Sequence, residues 1–133
     1  MKTSQTHTYK NKIALKYHQK ILLNIIRQNH NQKNNGKILD IGCANGIFLK
    51  KFSEEFKNYH LTGIDTSSKM INLAKKLKIK NLNFFKKDFM KYNKKSYFDI
   101  VVASGVLAFY DDYSNPIIKM LSLKKKNSYL YIF

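Results

Sequence analysis

Apolar residues fall into two kinds of run that alternate along the chain, and this alternation sets the fold class before any single residue is considered. From Lys12 to Gln28, the positions Ile13, Leu15, Tyr17, Ile21, Leu22, Ile25 and Ile26 mostly recur at the spacing of an amphipathic helix whose outer face is rich in lysine. Asn31, Asn34, Asn35 and Gly36 break that pattern, and Ile38–Ile41 then reads as a short buried strand entering a glycine-containing loop. The next helix carries Phe48, Phe52 and Phe56 on one face. His60–Ile64 reads as a second strand, after which Thr66, Ser67 and Ser68 are N-cap candidates for a helix with Met70, Leu73, Ala74 and Leu77 inward. Leu82–Phe85 makes a third strand, and Phe98–Ala103, written FDIVVA, a fourth buried on both faces. Asn115 is expected to cap a further helix with Pro116 in its first turn, and Ser128–Phe133 makes a fifth strand.

Strands alternating with helices imply right-handed crossovers and an α/β fold: a doubly wound, mainly parallel five-stranded sheet with flanking helices. The expected organisation is one domain over residues 1–133, with an N-terminal helical segment at 1–35 and an α/β core at 36–133. Ligands of such sheets sit beyond the carboxyl ends of the strands, near the point where strand order reverses. Here that point is the segment Ile38-Leu39-Asp40-Ile41-Gly42-Cys43-Ala44-Asn45-Gly46. It places a carboxylate near the strand end and then small residues at every second position, so that backbone can approach a ligand closely. Asp65 ends the second strand, where a carboxylate can accept hydrogen bonds from both hydroxyls of a ribose. Asp88 follows the third strand, either as a ligand contact or as the cap of a turn.

The run ILDIGCANG resembles motif I of the class I S-adenosylmethionine-dependent methyltransferases, an acidic residue followed by Gly-x-Gly-x-Gly, with Ala44 in place of the middle glycine. The spacing differs from the dinucleotide fingerprint Gly-x-Gly-x-x-Gly, whose third glycine falls one residue later. Motif I, the strand-two acid, the strand-three acid and the Phe-Asp-Ile-Val-Val strand occur in family order, and the resemblance runs from Tyr9 to Phe133. It implies S-adenosylmethionine as cofactor, a loop formed by Asp40, Gly42, Ala44 and Gly46, and ribose contact by Asp65. It further implies adenine contact around Asp88 and Phe89, with Thr66, Met70 and Ser104 completing the cofactor-binding set. Ala103 to Leu107 would lie against the cofactor, and Tyr110, Asp111 and Asp112 would face the substrate side.

The chain departs from the family in three ways. It carries Ser-Gly-Val-Leu where amino-methyltransferases acting on DNA or exposed amides have an Asn/Asp-Pro-Pro-Tyr type loop, which disfavours that class. It reads Leu123-Lys124-Lys125-Lys126-Asn127 where the family usually has Leu-Lys-Pro-Gly-Gly. The family's last two strands do not follow Phe133, so the expected fold lacks them and leaves strand 128–133 as an edge open to self-association or to a completing polypeptide. Asp99 resembles the structural aspartate at the start of strand four, and a solvated acidic turn is the plainer reading of Asp111 and Asp112. No catalytic base is named. Cys43 reads as a buried filler, and Tyr9, Tyr17, His7 and His18 are ambiguous between a lid over the cofactor and ordinary core or surface positions.

Composition changes this picture only at the margins. The formal net charge of +17 invites a nucleic-acid reading, yet all but one of the 25 basic residues are lysine, the exception being Arg27. Base-edge and phosphate-fork recognition leans on arginine, so nonspecific adhesion at low salt is expected rather than a dedicated nucleic-acid surface. The single Cys43 excludes an internal disulfide, and the four histidines give no metal-ligand spacing with it, so no metal is expected. No run approaches the roughly 18 apolar residues that span a bilayer, and the N-terminal segment has no apolar signal region, so a cytoplasmic protein without membrane association is expected. The function expected is methyl transfer from S-adenosylmethionine to an unidentified, small-molecule acceptor. The rivals are an RNA methyltransferase, a catalytically silent or partner-completed cofactor-binding module, and a dehydrogenase, which the loop spacing disfavours.

Overall fold

In a computed structural model, which describes the backbone of residues 3–133 and the side chains from Lys16 onward, the alternation becomes four helices and five strands. Helix α1 (Thr3–Asn29) precedes β1 (Gly36–Ile41), α2 (Ile47–Glu55), β2 (Tyr59–Asp65), α3 (Ser68–Lys75), β3 (Leu82–Lys86), β4 (Phe98–Ala103), α4 (Ser114–Leu123) and β5 (Lys124–Ile132). The chain forms two compact units, Met1–Asn31 and Gln32–Phe133. In the first, α1 buries Leu22, Leu23 and Ile26, while Tyr17 and Ile21 of the expected stripe are exposed. The expectations for the side chains of His7, Tyr9, Ile13 and Leu15 lie outside the described residues. Among the described residues no helix is long and apolar enough to cross a membrane.

The second unit is built on a sheet of order β3-β2-β1-β4-β5 in which every neighbouring pair is parallel. This is the doubly wound α/β arrangement expected from the alternation. The order reverses at β1: the chain moves from β1 to β2 and β3 on one side, then crosses back to β4 and β5 on the other. A crevice therefore opens where the carboxyl ends of β1 and β4 part.

Strand periodicity divides the core into two layers. On one face the α2 residues Phe48, Leu49 and Phe52, together with Phe56, pack beneath the helices; the rings of Phe52 and Phe56 stack at 4.3 Å, and Tyr59 meets each edge-on at 5.5 Å. On the other face Leu39, Ile41, Ile64, Val101 and Ala103 form one cluster with Phe89, Phe98, and Met120 and Leu123 of α4. α4 covers only part of that face, because the link from β3 to β4 is a loop with a single 3-10 turn, Phe89–Lys91, rather than a helix.

Three local expectations change. Ser67 alone caps α3, its hydroxyl accepting the Met70 N–H at 3.3 Å, and the buried positions are Ile71 and Ala74, with Leu73 40% exposed. α4 starts at Ser114 rather than after an Asn115 cap, because Asp112 accepts the Ser114 N–H at 2.9 Å; Pro116 remains in the first turn. β5 begins at Lys124, so the expected turn Lys124–Asn127 belongs to the strand. Its register against β4 shifts between Phe98 and Ile100, and Lys125 in the bulge is held by Asp99 at 2.7 Å. Asp99 also accepts the Lys37 N–H at 2.8 Å, which ties the starts of β1, β4 and β5 together and fits the structural part expected of it.

The aromatic stack gives the first prediction. Phe52→Ala removes a fully buried ring and is expected to lower stability by about 3–5 kcal/mol in urea unfolding. Ile118→Ala, at a position 64% exposed on α4, is expected to change it by under about 0.5 kcal/mol. Comparable losses from both would mean that the stack does not anchor the core.

Candidate functional site

Beyond the carboxyl end of β1 the chain turns through three left-handed residues, Gly42 (φ +71°), Ala44 (φ +47°) and Gly46 (φ +79°). Each has a different reason. A Cβ on Gly42 would lie 2.8 Å from Val106, so the glycine admits the loop that follows β4. A Cβ on Gly46 would lie 2.5 Å from the Phe84 ring, so the glycine admits close helix-to-strand packing. Ala44 holds a conformation that costs an L-residue on the order of 1–2 kcal/mol, which is the physical penalty for departing from glycine there.

Hydrogen bonds to the end of β2 hold the turn in place. The Ile64 carbonyl accepts from the N–H groups of Gly42 at 2.8 Å and Cys43 at 3.0 Å. The Asp65 carboxylate accepts from Ala44 N–H at 3.0 Å through Oδ2 and from Ser67 N–H at 2.8 Å through Oδ1. Both bonds come from backbone, and each oxygen retains a lone pair. Asp88 divides its capacity in the same way: Oδ1 accepts the Met90 N–H at 3.0 Å and caps the 3-10 turn.

These groups line a cleft of about 420 Å³, within the range of small-molecule sites. Of the candidates from the sequence, Gly42, Asp65, Thr66, Asp88, Phe89 and Ser104 line it. Asp40, Ala44, Gly46 and Met70 do not. Ala44 acts on the cleft through its bond to Asp65, and Met70 is half-buried in the first turn of α3. Asp40 is 3% exposed, on the opposite face of β1 from Leu39 and Ile41; burial pushes its carboxyl up to about 8, with the Asp65 charge adding to the effect. Cys43 is buried, and burial together with Asp40 and Asp65 pushes its thiol far above the usual range, which suits an inert filler.

The cleft also includes Ser67, expected from the sequence only as a helix cap, and Lys87 and Phe109, which the sequence did not single out. Lys87 is positioned by its N–H bond to the Asp65 carbonyl at 3.0 Å. Its only sequence signal was its place just before Asp88. Phe109, 87% exposed, stands at the rim beyond Gly105 (φ +72°), around which there is open space. Tyr110 meets Phe89 edge-on at 6.1 Å, and burial and the Asp88 charge raise its hydroxyl above the ordinary tyrosine range. Asp112 is exposed and accepts the N–H of Ser114, the first residue of α4, in keeping with a solvated acidic turn before a helix. A wider hollow of about 840 Å³ lies among Lys33, Asn35, Lys57 and Asn81 at the amino ends of the strands, away from the glycine turns; the smaller cleft has the position that this topology gives to ligands. Among the described residues no group of three or more His, Cys, Asp or Glu could hold a metal ion.

Comparison with known proteins adds to this geometry. Residues 32–133 match the family described as "Methyltransferase domain". A malonyl-[acyl-carrier protein] O-methyltransferase of Ilyobacter polytropus is 32% identical over 85 residues, covering 62% of this chain and 32% of that protein. A tRNA (guanine-N(7)-)-methyltransferase of Mycoplasma capricolum is 33% identical over 129 residues, covering 93% of this chain and 56% of that protein. Among solved structures, the plantazolicin methyltransferase BpumL in complex with a triazolic desmethyl analogue and SAH superposes with a TM-score of 0.65 at 32% identity over 72% of this chain and 37% of that one. The fold is also that of an S-adenosylmethionine-dependent methyltransferase from Aquifex aeolicus, with a TM-score of 0.69 at 20% identity, over 82% of this chain and 61% of that one. The chain thus spans about a third of the malonyl-carrier enzyme and about half of the tRNA enzyme.

The position of Asp40 yields a prediction about pH. An acid whose pKa is raised in the folded state contributes stability that is full below the unfolded value of about 4 and is lost as pH rises toward the folded value of about 8. Thermal melts of Asp40→Asn and the parent chain should therefore diverge in favour of the asparagine between about pH 4 and pH 8, then run parallel. A constant difference across that window would show that Asp40 is not held protonated.

Proposed function

This chain belongs to the methyltransferase-domain family, and from that premise we propose that it transfers a methyl group from S-adenosylmethionine to a nucleophile on a small-molecule acceptor. The observation that carries the reading is Asp65: a carboxylate fixed by two backbone N–H groups at the rim of the cleft, with one further lone pair on each oxygen for the two hydroxyls of a ribose. Asp88, its Oδ1 engaged, has Oδ2 for an adenine amino group, and Phe89 offers the apolar surface beside it. Gly105, beside which a Cβ would meet nothing within 4 Å, keeps one side of the cleft open, so that a cofactor can approach backbone there.

When bound, the sulfonium supplies an activated methyl group. The protein's part is then to hold donor and acceptor in line and to exclude water, and positioning alone can account for much of the rate. The cleft's titratable side chains are Asp65, Lys87, Asp88 and Tyr110; the two carboxylates are bonded to loop backbone, the lysine is a cation, and the tyrosine is raised in pKa, so no proton abstraction is assigned to any of them. An RNA acceptor is the second reading, favoured by the relative whose match runs over 93% of this chain. A third is a module completed by further polypeptide: β5 forms one edge of the sheet, with Tyr129, Ile132 and Phe133 exposed along it, and such edges recruit additional strands.

Calorimetry separates these readings from other nucleotide-binding folds. S-adenosylhomocysteine should bind and NAD should not; the reverse preference would defeat the methyltransferase reading. Asp65→Ala should weaken that binding by about 1–3 kcal/mol, and Asp111→Ala should leave it unchanged. Light scattering should find the isolated chain self-associating at micromolar concentration, whereas a fully active monomer would show that the β5 edge needs no partner.

A further inference from the structure

The β3–β4 link contributes no helix of its own over the β3 end of one sheet face, and the residues there are not a random sample of the surface. Thr62 on β2 and Asn83 on β3 are register partners, and Phe85 follows two residues along β3 on the same face. With the loop after β3 they bound a groove of about 510 Å³ that is separate in its floor from the donor cleft. Its aromatic members are Phe85, Tyr92 and Tyr97. Phe85 is 43% exposed and Tyr97 38%, and Tyr92 is steadied by stacking on Phe98 at 6.3 Å. Its cationic members are Lys87, Lys91 and Lys94, spaced four and three residues apart, which the 3-10 turn brings to one side of the loop. A fourth cation stands beside them: the Lys37 ammonium lies 4.1 Å from the Tyr97 ring centroid and that of Lys94 lies 5.0 Å from it. Among the described residues no acidic side chain lines the groove, and the nearest acid in sequence, Asp88, lines the donor cleft and caps the turn.

We propose that this groove binds an unpaired strand of nucleic acid, with Phe85 as a platform for one base and Lys87, Lys91 and Lys94 on the backbone phosphates. Each part of the chemistry has a reason. An aromatic face exposed on an edge strand, as Phe85 is on β3, can stack any base that is not already paired, whereas a duplex keeps its bases stacked on each other. Lysines act on phosphate as point charges and need no arginine fork, so the arginine-poor composition is compatible with this mode although it disfavours base-edge readout. An acidic polypeptide would use the lysines but has no need of the exposed ring. Lys87 lines both the groove and the donor cleft, so a strand held here lies beside the cleft. The inference does not depend on methyl transfer or on the donor reading. It sharpens the expectation of diffuse adhesion into a localised site that tolerates any sequence.

The test is fluorescence anisotropy with a labelled single-stranded oligouridylate of about 12 nucleotides, titrated across a range of salt, with S-adenosylhomocysteine binding measured on the same preparations. Phe85→Ala should weaken the oligonucleotide by roughly tenfold, the loss of one stacked base. The pair Lys91→Ala, Lys94→Ala should reduce the slope of log affinity against log salt by about 1.4, since each phosphate neutralised on a single strand contributes about 0.7. The pair Lys33→Ala, Lys57→Ala removes the same charge from the amino ends of the strands and should leave the slope nearly unchanged. None of these variants should alter S-adenosylhomocysteine binding. Equal effects from the two lysine pairs, an unchanged affinity in Phe85→Ala, or equally good displacement by poly-glutamate would each overturn the proposal. A chain that binds S-adenosylhomocysteine but no oligonucleotide would overturn it too, while leaving the donor reading intact.

Discussion

The arrangement of the site depends on one carboxylate that is held before any ligand arrives. Asp65 takes the N–H of Ala44 on one oxygen and that of Ser67 on the other, and so joins the turn after β1 to the start of α3 across the end of β2. Charge-assisted bonds of this kind are roughly twice as strong as neutral ones. That strength gives a physical account of how Ala44 can sit at φ +47° in a turn that otherwise uses glycine. The same carboxylate lines the cleft, so the group that shapes the loop is also the one to which ribose contact is proposed. Removing it would alter both, which is why a loss of binding on its substitution measures the joint effect of contact and preorganisation.

The second constraint is coverage of the sheet. A parallel sheet has two apolar faces and needs elements on both. α2 and α3 supply one layer through the Phe52–Phe56 stack and the buried Ile71 and Ala74. α4 supplies the other only where Met120 and Leu123 reach β1 and β4. The chain answers the shortfall near β3 by making that stretch of face amphipathic: Thr62, Asn83 and Phe85 alternate with the buried Leu61, Gly63 and Phe84. The bare face is therefore written into β2 and β3 as a period-two pattern, and the groove follows from it.

That same logic explains what could be read from the sequence and what could not. The strands were legible because burial on both faces forces apolar runs such as Phe98–Ala103, which was placed to the residue. The acids at strand ends, Asp65 and Asp88, were legible because topology fixes where a strand end must lie. Helix phase was less so: Leu73 and Ile71 differ by half a turn, and only packing on the sheet chooses between them. The start of β5 was hidden because Lys124–Asn127 reads as a polar turn, yet Asp99 holds Lys125 and lets the ladder begin early. Lys87 and Phe109 escaped because they sit in loops, where no periodicity says which way a side chain faces. Gly46 has a packing reason that its residue type did not reveal: an added Cβ would meet the Phe84 ring.

Charge placement adds a step that composition alone could not supply. The chain has eight acidic residues against 25 basic ones. Asp40 is buried, Asp65 and Asp88 are bonded to backbone at the cleft, Asp99 is bonded to Lys37 and Lys125, and Asp112 accepts the Ser114 N–H. Most of the acidic side chains are thus committed to local structure, while the lysines stand largely on exposed positions. Beyond a Debye length of about 8 Å at physiological ionic strength, little of either sign survives, but within it the field is dominated by lysine. An anionic partner would meet attraction over much of the surface, and in the proposed groove aromatic side chains would add contacts that salt does not screen. The excess of lysine would set the rate of encounter, and the few exposed rings would decide where the encounter ends.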